Sequence, residues 1–277
     1  MNENFCEGNP LRGLLNAVGF ELAAIAAIFV LAQLFGCASA PRSAPGGTVP
    51  RAALVVNLSN VDPAAYNGWN GDCPGTDRDA EKVCAALAGM GVPFVHLADA
   101  EATVEGVLEA AERVGASVAP GGLLMLYFSG HGGQRLDAGA DEDDALDETI
   151  CLWDGQLSDD VVWAALCRVP DGVRVWLVTD CCNSGTNFRG MPHDYARGVG
   201  RWWRREPDLL HWGAAVDGTS AIGTSRGGFF TLALERAWKP GMTYAEWFAA
   251  AEPIARRKQR PTSNHTGVDF STREAFQ

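Results

Sequence analysis

Two uninterrupted apolar runs, each followed at once by small and reactive residues, constrain this sequence more than any other feature. The run 121–128 leads to His131, and the run 173–178 leads to Cys181 and Cys182. Continuous apolar runs are typical of parallel strands buried on both faces. Functional groups collect at the carboxyl ends of such strands. A thiol and an imidazole at two neighbouring strand ends predict nucleophilic catalysis by cysteine, with histidine as the proton carrier.

The rest of the chain from residue 51 alternates between strand-like and helix-like segments. Apolar residues recur at helical spacing between the short apolar runs, which predicts βαβ units and a largely parallel sheet. The predicted strands are 52–58, 92–97, 121–128, 173–178 and 212–216, and the predicted helices are 77–90, 102–118, 229–238 and 244–257. The expected fold class is therefore α/β, with a mostly parallel central sheet and helices on both faces.

The charge of the chain argues against a nucleic-acid partner and is most negative in one segment. The 277 residues carry a formal net charge of −12, whereas a nucleic-acid surface needs clustered Lys and Arg, so no nucleic-acid partner is expected. The acid is concentrated in residues 136–160, which contain ten Asp or Glu and no Lys or Arg. Such a segment is either a solvated acidic loop or a site for a hard cation or a basic substrate.

The amino terminus differs from the rest of the chain. Residues 22–35 are apolar except for Gln33, and a small-residue and proline segment, 37–50, follows. This pattern predicts a signal peptide or membrane anchor over 1–36, a flexible linker over 37–50 and one folded domain over 51–277. The residues before Cys37 resemble a lipobox, which predicts an exported lipoprotein. The alternative is an uncleaved anchor with the domain in the cytoplasm.

Several motifs resemble one known family, the metacaspases, which are caspase-like cysteine peptidases. SGHGG follows one strand, DCCNSG follows another, and DEDDALDETICLWDG lies between them. GTDRDA, GFFT and a terminal Arg-Pro appear in the same order as in the family. The resemblance covers residues 52–265. It implies a three-layer caspase-like fold and an endopeptidase that cleaves after Arg or Lys.

The resemblance assigns the catalytic roles. It places the nucleophile at Cys182, because Cys181 matches the family's serine, and it makes His131 the acid–base partner. The backbone N–H groups of Gly132 and Cys182 become the donors to the developing oxyanion. A buried, inert thiol is the expected state of Cys181. His193 is a rival base close to the nucleophile in sequence.

The resemblance also implies a binding pocket for a basic side chain. Its positions fall on Asp79, Ser129 and Asp180. Two carboxylates facing one guanidinium give a charge-assisted, bidentate contact, which favours Arg over Lys. The alternative for Asp79 is an ordinary acid in the first turn of a helix, where it favours the helix dipole.

Calcium is the cofactor that the resemblance implies, and Asp147, Asp159 and Asp160 match the family's ligand positions. Carboxylate oxygens in loops suit Ca²⁺. Arg189 stands where a further acid is expected and weakens the prediction, and Asp159 with Asp160 could instead cap the following helix. Zinc is not expected, because the eight cysteines include no Cys-x-x-Cys pair.

Some expectations concern regulation and assembly. A monomer with no disulfide essential to folding is expected. Self-cleavage is expected in the linker 41–51 or in the segment 188–210, which holds five arginines. They are Arg189, Arg197, Arg201, Arg204 and Arg205. Two other classes of function stay open: a membrane-tethered, catalytically silent interaction module, and a thiol enzyme that acts on another acyl substrate.

Overall fold

The computed structural model describes residues 51–136, 146–188 and 206–277. The predicted signal peptide or anchor, the lipidation at Cys37 and the linker 37–50 therefore lie outside the described residues. The same is true of His193 and of the five arginines between 189 and 205. Among the helices that the structure describes, none has the length and hydropathy needed to cross a bilayer.

Six strands form the central sheet of the described chain. They are β1 Arg51–Asn57, β2 Phe94–Ala98, β3 Leu123–Ser129, β7 Arg174–Asp180, β8 Asp208–Gly213 and β11 Thr262–Thr266. Their spatial order is β11-β8-β7-β3-β1-β2. Neighbouring strands from β8 to β2 pair in parallel, and β11 pairs with β8 in antiparallel orientation.

Helices cover both faces of this sheet. They are α1 Thr76–Gly89, α2 Val104–Ala116, α3 Asp159–Leu166, α4 Phe229–Ala237 and α5 Tyr244–Ala255, with a 3-10 turn at Asp99–Glu101. Two short sheets lie outside the main one. The first consists of β4 Gly132–Leu136, β5 Leu146–Leu152 and β6 Gly155–Ser158, and the second of β9 Gly223–Thr224 and β10 Gly227–Gly228.

The sheet separates two apolar cores, which explains why its central strands are apolar on both faces. Along β7, Trp176 points into a core with residues of α1, α4 and α5, whereas Val175 and Leu177 point into a core with residues of α2 and α3. All seven residues of β7 are buried. The predicted α/β fold class, with a mostly parallel sheet and helices on both faces, is confirmed.

One predicted strand is displaced. The sequence predicts a strand over 212–216, whereas β8 is Asp208–Gly213. Ala215 leaves the sheet because Ser184 pairs with its backbone: the Ser184 N–H donates to the Ala215 carbonyl at 3.1 Å, and the Ala215 N–H donates to Ser184 Oγ at 3.0 Å. The apolar stretch 214–216 therefore supports the loop that follows β7.

Candidate active site

The pairing of β3 with β7 sets the position of the predicted catalytic residues. The two strands are parallel, and the last registered pair is Ser129 with Asp180. The Gly130 N–H continues the ladder by donating to the Asp180 carbonyl at 3.3 Å. His131 and Cys182 each lie two residues beyond the Ser129–Asp180 pair. The register therefore delivers the imidazole and the thiol to the same edge of the sheet.

The two chain segments touch immediately beyond the strand ends. A Cβ placed on Gly132 would overlap the Cys182 carbonyl oxygen and lie 3.0 Å from Cys181 Sγ. Glycine is therefore required at 132 for steric reasons. The close approach puts the Gly132 backbone against the Cys182 backbone, the two places from which the predicted oxyanion donors come.

His131 is held by the segment that follows β1. The ring of Trp69 packs on the imidazole with centroids 4.8 Å apart, and the backbone of Gly71 and of Asp72 lies beside it. Burial lowers the pKa of His131 below its ordinary value, against these backbone contacts, which raise it. Nε2 is buried and has no hydrogen-bond partner among the described residues. A neutral, oriented imidazole with one unused nitrogen is suited to taking and returning a proton.

The adjacent thiols Cys181 and Cys182 have different environments. Cys181 is 1% exposed, accepts a hydrogen bond from Asn187 Nδ2 at 3.6 Å, and has a pKa raised well above its ordinary value by burial. Cys182 is half-buried, and its Sγ accepts the Ala221 N–H at 3.3 Å. A buried thiol with a raised pKa is a poor nucleophile. The geometry therefore favours Cys182.

Asp217 fixes the loop that carries the thiol. Its carboxylate accepts the Gly185 N–H at 2.9 Å, the Thr186 N–H at 3.2 Å and the Thr186 hydroxyl at 2.8 Å. Asn183 has a positive φ of 48° and accepts the Gly218 N–H through Oδ1 at 2.9 Å. Sequence analysis missed Asp217 because an Asp-Gly pair is typical of an ordinary turn.

The predicted pocket residues come together. Asp79, on α1, accepts the Ser129 hydroxyl at 2.9 Å, and Asp180 ends β7. We call Asp79 and Asp180 the acidic pair. Burial and the charge of Asp180 raise the pKa of Asp79 to about 7, and burial raises the pKa of Asp180. Among the described residues, no basic side chain forms an ion pair with either carboxylate, and Asp79 Oδ1 is buried without a hydrogen-bond partner.

The strand β10 and the start of α4 cover the acidic pair. Asp79 Oδ2 accepts the Gly228 N–H at 2.8 Å, while Asp180 Oδ2 accepts the N–H and the hydroxyl of Thr231 at 2.9 and 2.7 Å. A Cβ on Gly227 would overlap Asp79, and one on Gly228 would overlap Asp180. These contacts explain the Gly-Gly-Phe-Phe-Thr segment. The two glycines leave space for the carboxylates, and the threonine donates hydrogen bonds to one of them.

A second group of acids, Asp147, Glu148, Asp159 and Asp160, lies at β5 and the start of α3; we call it the acidic cluster. Asp147 accepts from Arg135 at 3.1 Å. Burial, together with Asp160, Asp147 and Glu148, raises the pKa of Asp159 to about 9, and Asp159 Oδ2 is buried without a partner. The alternative was that Asp159 and Asp160 cap α3: both lie in its first turn, the N-cap Ser158 makes no side-chain cap bond, and Asp159 Oδ1 accepts the Asp160 N–H at 3.0 Å. The described side chains include no ready-made set of three or more His, Cys, Asp or Glu metal ligands.

Two other histidines of the described part of the chain pack against neighbouring strands. His211 is buried on β8, with Nε2 2.9 Å from the Thr179 hydroxyl, and His96 Nε2 lies 2.7 Å from Asn57 Oδ1. The six described cysteines are free thiols: Cys73, Cys84, Cys151, Cys167, Cys181 and Cys182.

Comparison with known proteins finds one family that part of the chain resembles. Residues 95–189 match the sequence model described as "Metacaspase, peptidase C14 domain". Metacaspase-1A of Neurospora crassa is 35% identical over 175 residues, which cover 57% of this chain and 36% of that protein. Metacaspase-1 of Mycosarcoma maydis is 31% identical over 159 residues, covering 52% of this chain and 38% of that protein. The chain thus spans less than two fifths of the length of these curated relatives.

Solved structures share the fold. The crystal structure of protein GSU0716 from Geobacter sulfurreducens superimposes with a TM-score of 0.70 and 29% identity, covering 82% of this chain and 98% of that one. Caspase-1 from Spodoptera frugiperda superimposes with a TM-score of 0.56 and 15% identity, covering 83% and 94%. The second likeness shows the caspase-like fold alone. The resemblance seen in the sequence motifs is confirmed over residues 95–189, which match the metacaspase peptidase C14 domain model.

Proposed function

We propose that this chain is a cysteine endopeptidase that cleaves after Arg or Lys, with Cys182 as nucleophile and His131 as acid–base partner. One observation carries the proposal. The registered ends of β3 and β7 bring the half-buried thiol, the imidazole and the acidic pair to one edge of the sheet. A protein that only binds a partner would not need a thiol, an imidazole and two carboxylates at the same edge of its sheet.

The mechanism follows from the groups at this edge. The Cys182 thiol passes its proton to His131, and the resulting thiolate attacks the scissile carbonyl carbon, while the N–H groups of Gly132 and Cys182 donate hydrogen bonds to the carbonyl oxygen as it gains negative charge. The C–N bond breaks as protonated His131 donates its proton to the leaving amine. Water then attacks the thioester as His131 takes its proton, and the C–S bond breaks as His131 returns that proton to the sulfur, which regenerates the Cys182 thiol. Trp69 and the Gly71 and Asp72 backbone keep the imidazole in place for both transfers.

The acidic pair supports the preference for a basic residue. Burial and the charge of Asp180 raise the pKa of Asp79, in spite of the charge of Lys82, which lowers it, and burial raises the pKa of Asp180. A guanidinium between the two carboxylates would favour their charged forms. Asp79 Oδ1 is an unused acceptor for it. Because Asp79 and Asp180 are 0% and 5% exposed, admission of a side chain requires the covering strand β10 to yield.

The test uses the full chain and matched peptides with Arg, Lys, Asp or citrulline before a fluorogenic leaving group. We expect cleavage after Arg and Lys, loss of turnover in Cys182→Ala, and near-normal turnover in Cys181→Ala. Faster cleavage after Asp than after Arg would refute the specificity. Turnover that survives in Cys182→Ala would refute the nucleophile, and no cleavage or labelling by an arginyl electrophile would favour a catalytically silent module.

We propose calcium as an activator held by Asp147, Asp159 and Asp160. Their carboxylate oxygens are the ligands that Ca²⁺ prefers. Asp159 Oδ2 is buried without a hydrogen-bond partner, and a bound cation would offset the repulsion between Asp159 and the neighbouring acids. Glu148 adds a fourth carboxylate that sequence analysis did not assign. The ion would supply charge neutralisation and order in this region, without taking part in bond making.

We also propose self-cleavage at the arginines between 189 and 205 or in the linker 41–51, and membrane attachment or export through residues 1–36. Mass spectrometry of the full chain incubated with calcium should find new termini after arginine in the active protein and none in Cys182→Ala. A chain that stays intact would refute self-cleavage.

Membrane fractionation of the full chain beside Cys37→Ser tests the lipid anchor. Recovery of the full chain in the soluble fraction alone would refute membrane attachment.

A further inference from the structure

An exposed tryptophan lies directly against the proposed acid–base residue. The Trp69 ring packs on the His131 imidazole, with ring centroids 4.8 Å apart and planes inclined by 59°. Trp69 is nonetheless 44% exposed, whereas most large apolar side chains of the described residues are buried. Close packing on His131 therefore leaves a large part of the indole available to another molecule.

The segment 59–75 holds this indole in a fixed position. The Trp69 N–H donates to the Tyr66 carbonyl at 3.1 Å, and the Val61 N–H donates to the Asn70 carbonyl at 2.8 Å. Tyr66 packs edge-on against Trp69 with centroids 5.7 Å apart, and its hydroxyl donates to the Leu152 carbonyl at 2.7 Å. A contact surface fixed in advance binds at a smaller cost in conformational entropy than a mobile one.

The chemistry of the reaction determines what part of a substrate meets this surface. His131 must come within hydrogen-bonding distance of the leaving nitrogen in order to protonate it. That nitrogen belongs to the residue just after the scissile bond, so the side chain of this residue emerges beside His131. We propose that Trp69 forms the binding subsite for that side chain and selects an aromatic or large apolar residue there. The proposal rests on the proposed peptidase function and names a second determinant of its specificity.

The surroundings of Trp69 support this choice of side chain. The indole face offers apolar and stacking contact, and aromatic rings prefer tilted or offset partners of the kind Trp69 already makes with His131 and Tyr66. Segment 59–75 contains Asp62 and Asp72 and no Lys or Arg. An acidic residue after the scissile bond is therefore disfavoured.

Acyl transfer measures this subsite separately from the first half of the reaction. When an amino-acid amide replaces water, its amine attacks the Cys182 thioester, His131 takes the proton released by the amine, and the C–S bond breaks to give a new amide. The ratio of transfer to hydrolysis reports how well the incoming residue occupies the subsite. In the assay, one arginyl ester supplies the acyl group to the full chain, and the amide of phenylalanine, leucine, glycine or aspartate is added as the acceptor.

We expect transfer to phenylalanine amide to exceed transfer to glycine amide in the natural chain. Trp69→Ala should reduce that preference about two- to tenfold, and Trp69→Phe should restore most of it. The control is Phe94→Ala on β2, which removes an exposed aromatic side chain of similar accessibility, 37%, outside the site. This control should leave the preference unchanged.

The two proposals fail in distinguishable ways. Absence of any acyl-enzyme or of labelling at Cys182 by an arginyl electrophile refutes the peptidase function. Labelling with equal transfer to phenylalanine and glycine amides, or a preference that persists in Trp69→Ala, refutes the subsite alone. A thermal unfolding scan of each Trp69 variant confirms that a changed preference comes from a folded protein.

Discussion

The acidic pair and the acidic cluster use the same residue type in two different ways. The pair, Asp79 and Asp180, joins α1 to the end of β7, and it accepts hydrogen bonds from hydroxyls and backbone N–H groups of Ser129, Gly228 and Thr231. The cluster lies on β5 and α3, where Arg135 already forms an ion pair with Asp147. Neutral donors orient a carboxylate without cancelling its charge. The pair therefore keeps its attraction for a cation from the substrate, whereas the cluster is partly compensated from within.

The largest expected effect tests the charge of the pair. Asp79→Asn keeps the shape of the side chain and removes its charge, so cleavage after Arg should fall at least about 30-fold in kcat/KM. Cleavage after citrulline, a neutral analogue of Arg, should change far less. The measurement is kcat/KM on both peptides. An equal loss on the two would show that Asp79 stabilises the structure and does not recognise the charge of the substrate.

The pH dependence should separate the pair from the catalytic histidine. With a pKa of about 7, Asp79 is protonated below neutrality and loses its attraction for Arg. We therefore expect kcat/KM for Arg to fall about tenfold per pH unit below that value and to level off above it. Burial lowers the pKa of His131, so its titration adds a separate limb at lower pH. The limb near pH 7 should be absent for citrulline peptides; its persistence there would assign it to another group.

Sequence reasoning found the parts of the site that are carried by continuous apolar strands. β3 and β7 were predicted from composition alone, and the position of His131 and Cys182 follows from their register. The functions assigned to Asp79 and Ser129 came from family resemblance, because an acid in a helix has no local signature. Trp69 was missed because its contact with His131 spans 62 positions of the sequence. β4 and β11 were missed because their sequences, GGQRL and TSNHT, have little apolar alternation.

Thermal unfolding should distinguish the acidic cluster from the pair. If calcium at about 100 times its Kd binds the cluster, the folded state gains about 2.7 kcal/mol, which raises the Tm by about 5–10 °C. Asp159→Asn should abolish this response and stabilise the calcium-free protein, because it removes a buried and repelled charge. The matched control is Asp171→Asn, an exposed acid elsewhere, which should keep the full response. An unchanged calcium shift in Asp159→Asn would place the ion elsewhere.

The smallest expected effect tests the contact between the cluster and the nucleophile loop. Thr186 Oγ1 lies 2.8 Å from both Glu148 Oε2 and Asp217 Oδ2, and its single proton satisfies one carboxylate at a time. Thr186→Val should remove this link and cost about 1–3 kcal/mol of stability, because two carboxylates lose a shared donor. It should also lower kcat about fivefold at unchanged KM, since the loop carries Cys182 and not the acidic pair. Thr186→Ser keeps the hydroxyl and should restore both quantities. A change in KM for Arg instead would mean that Thr186 supports the pair, and the two groups of acids would then form one connected site.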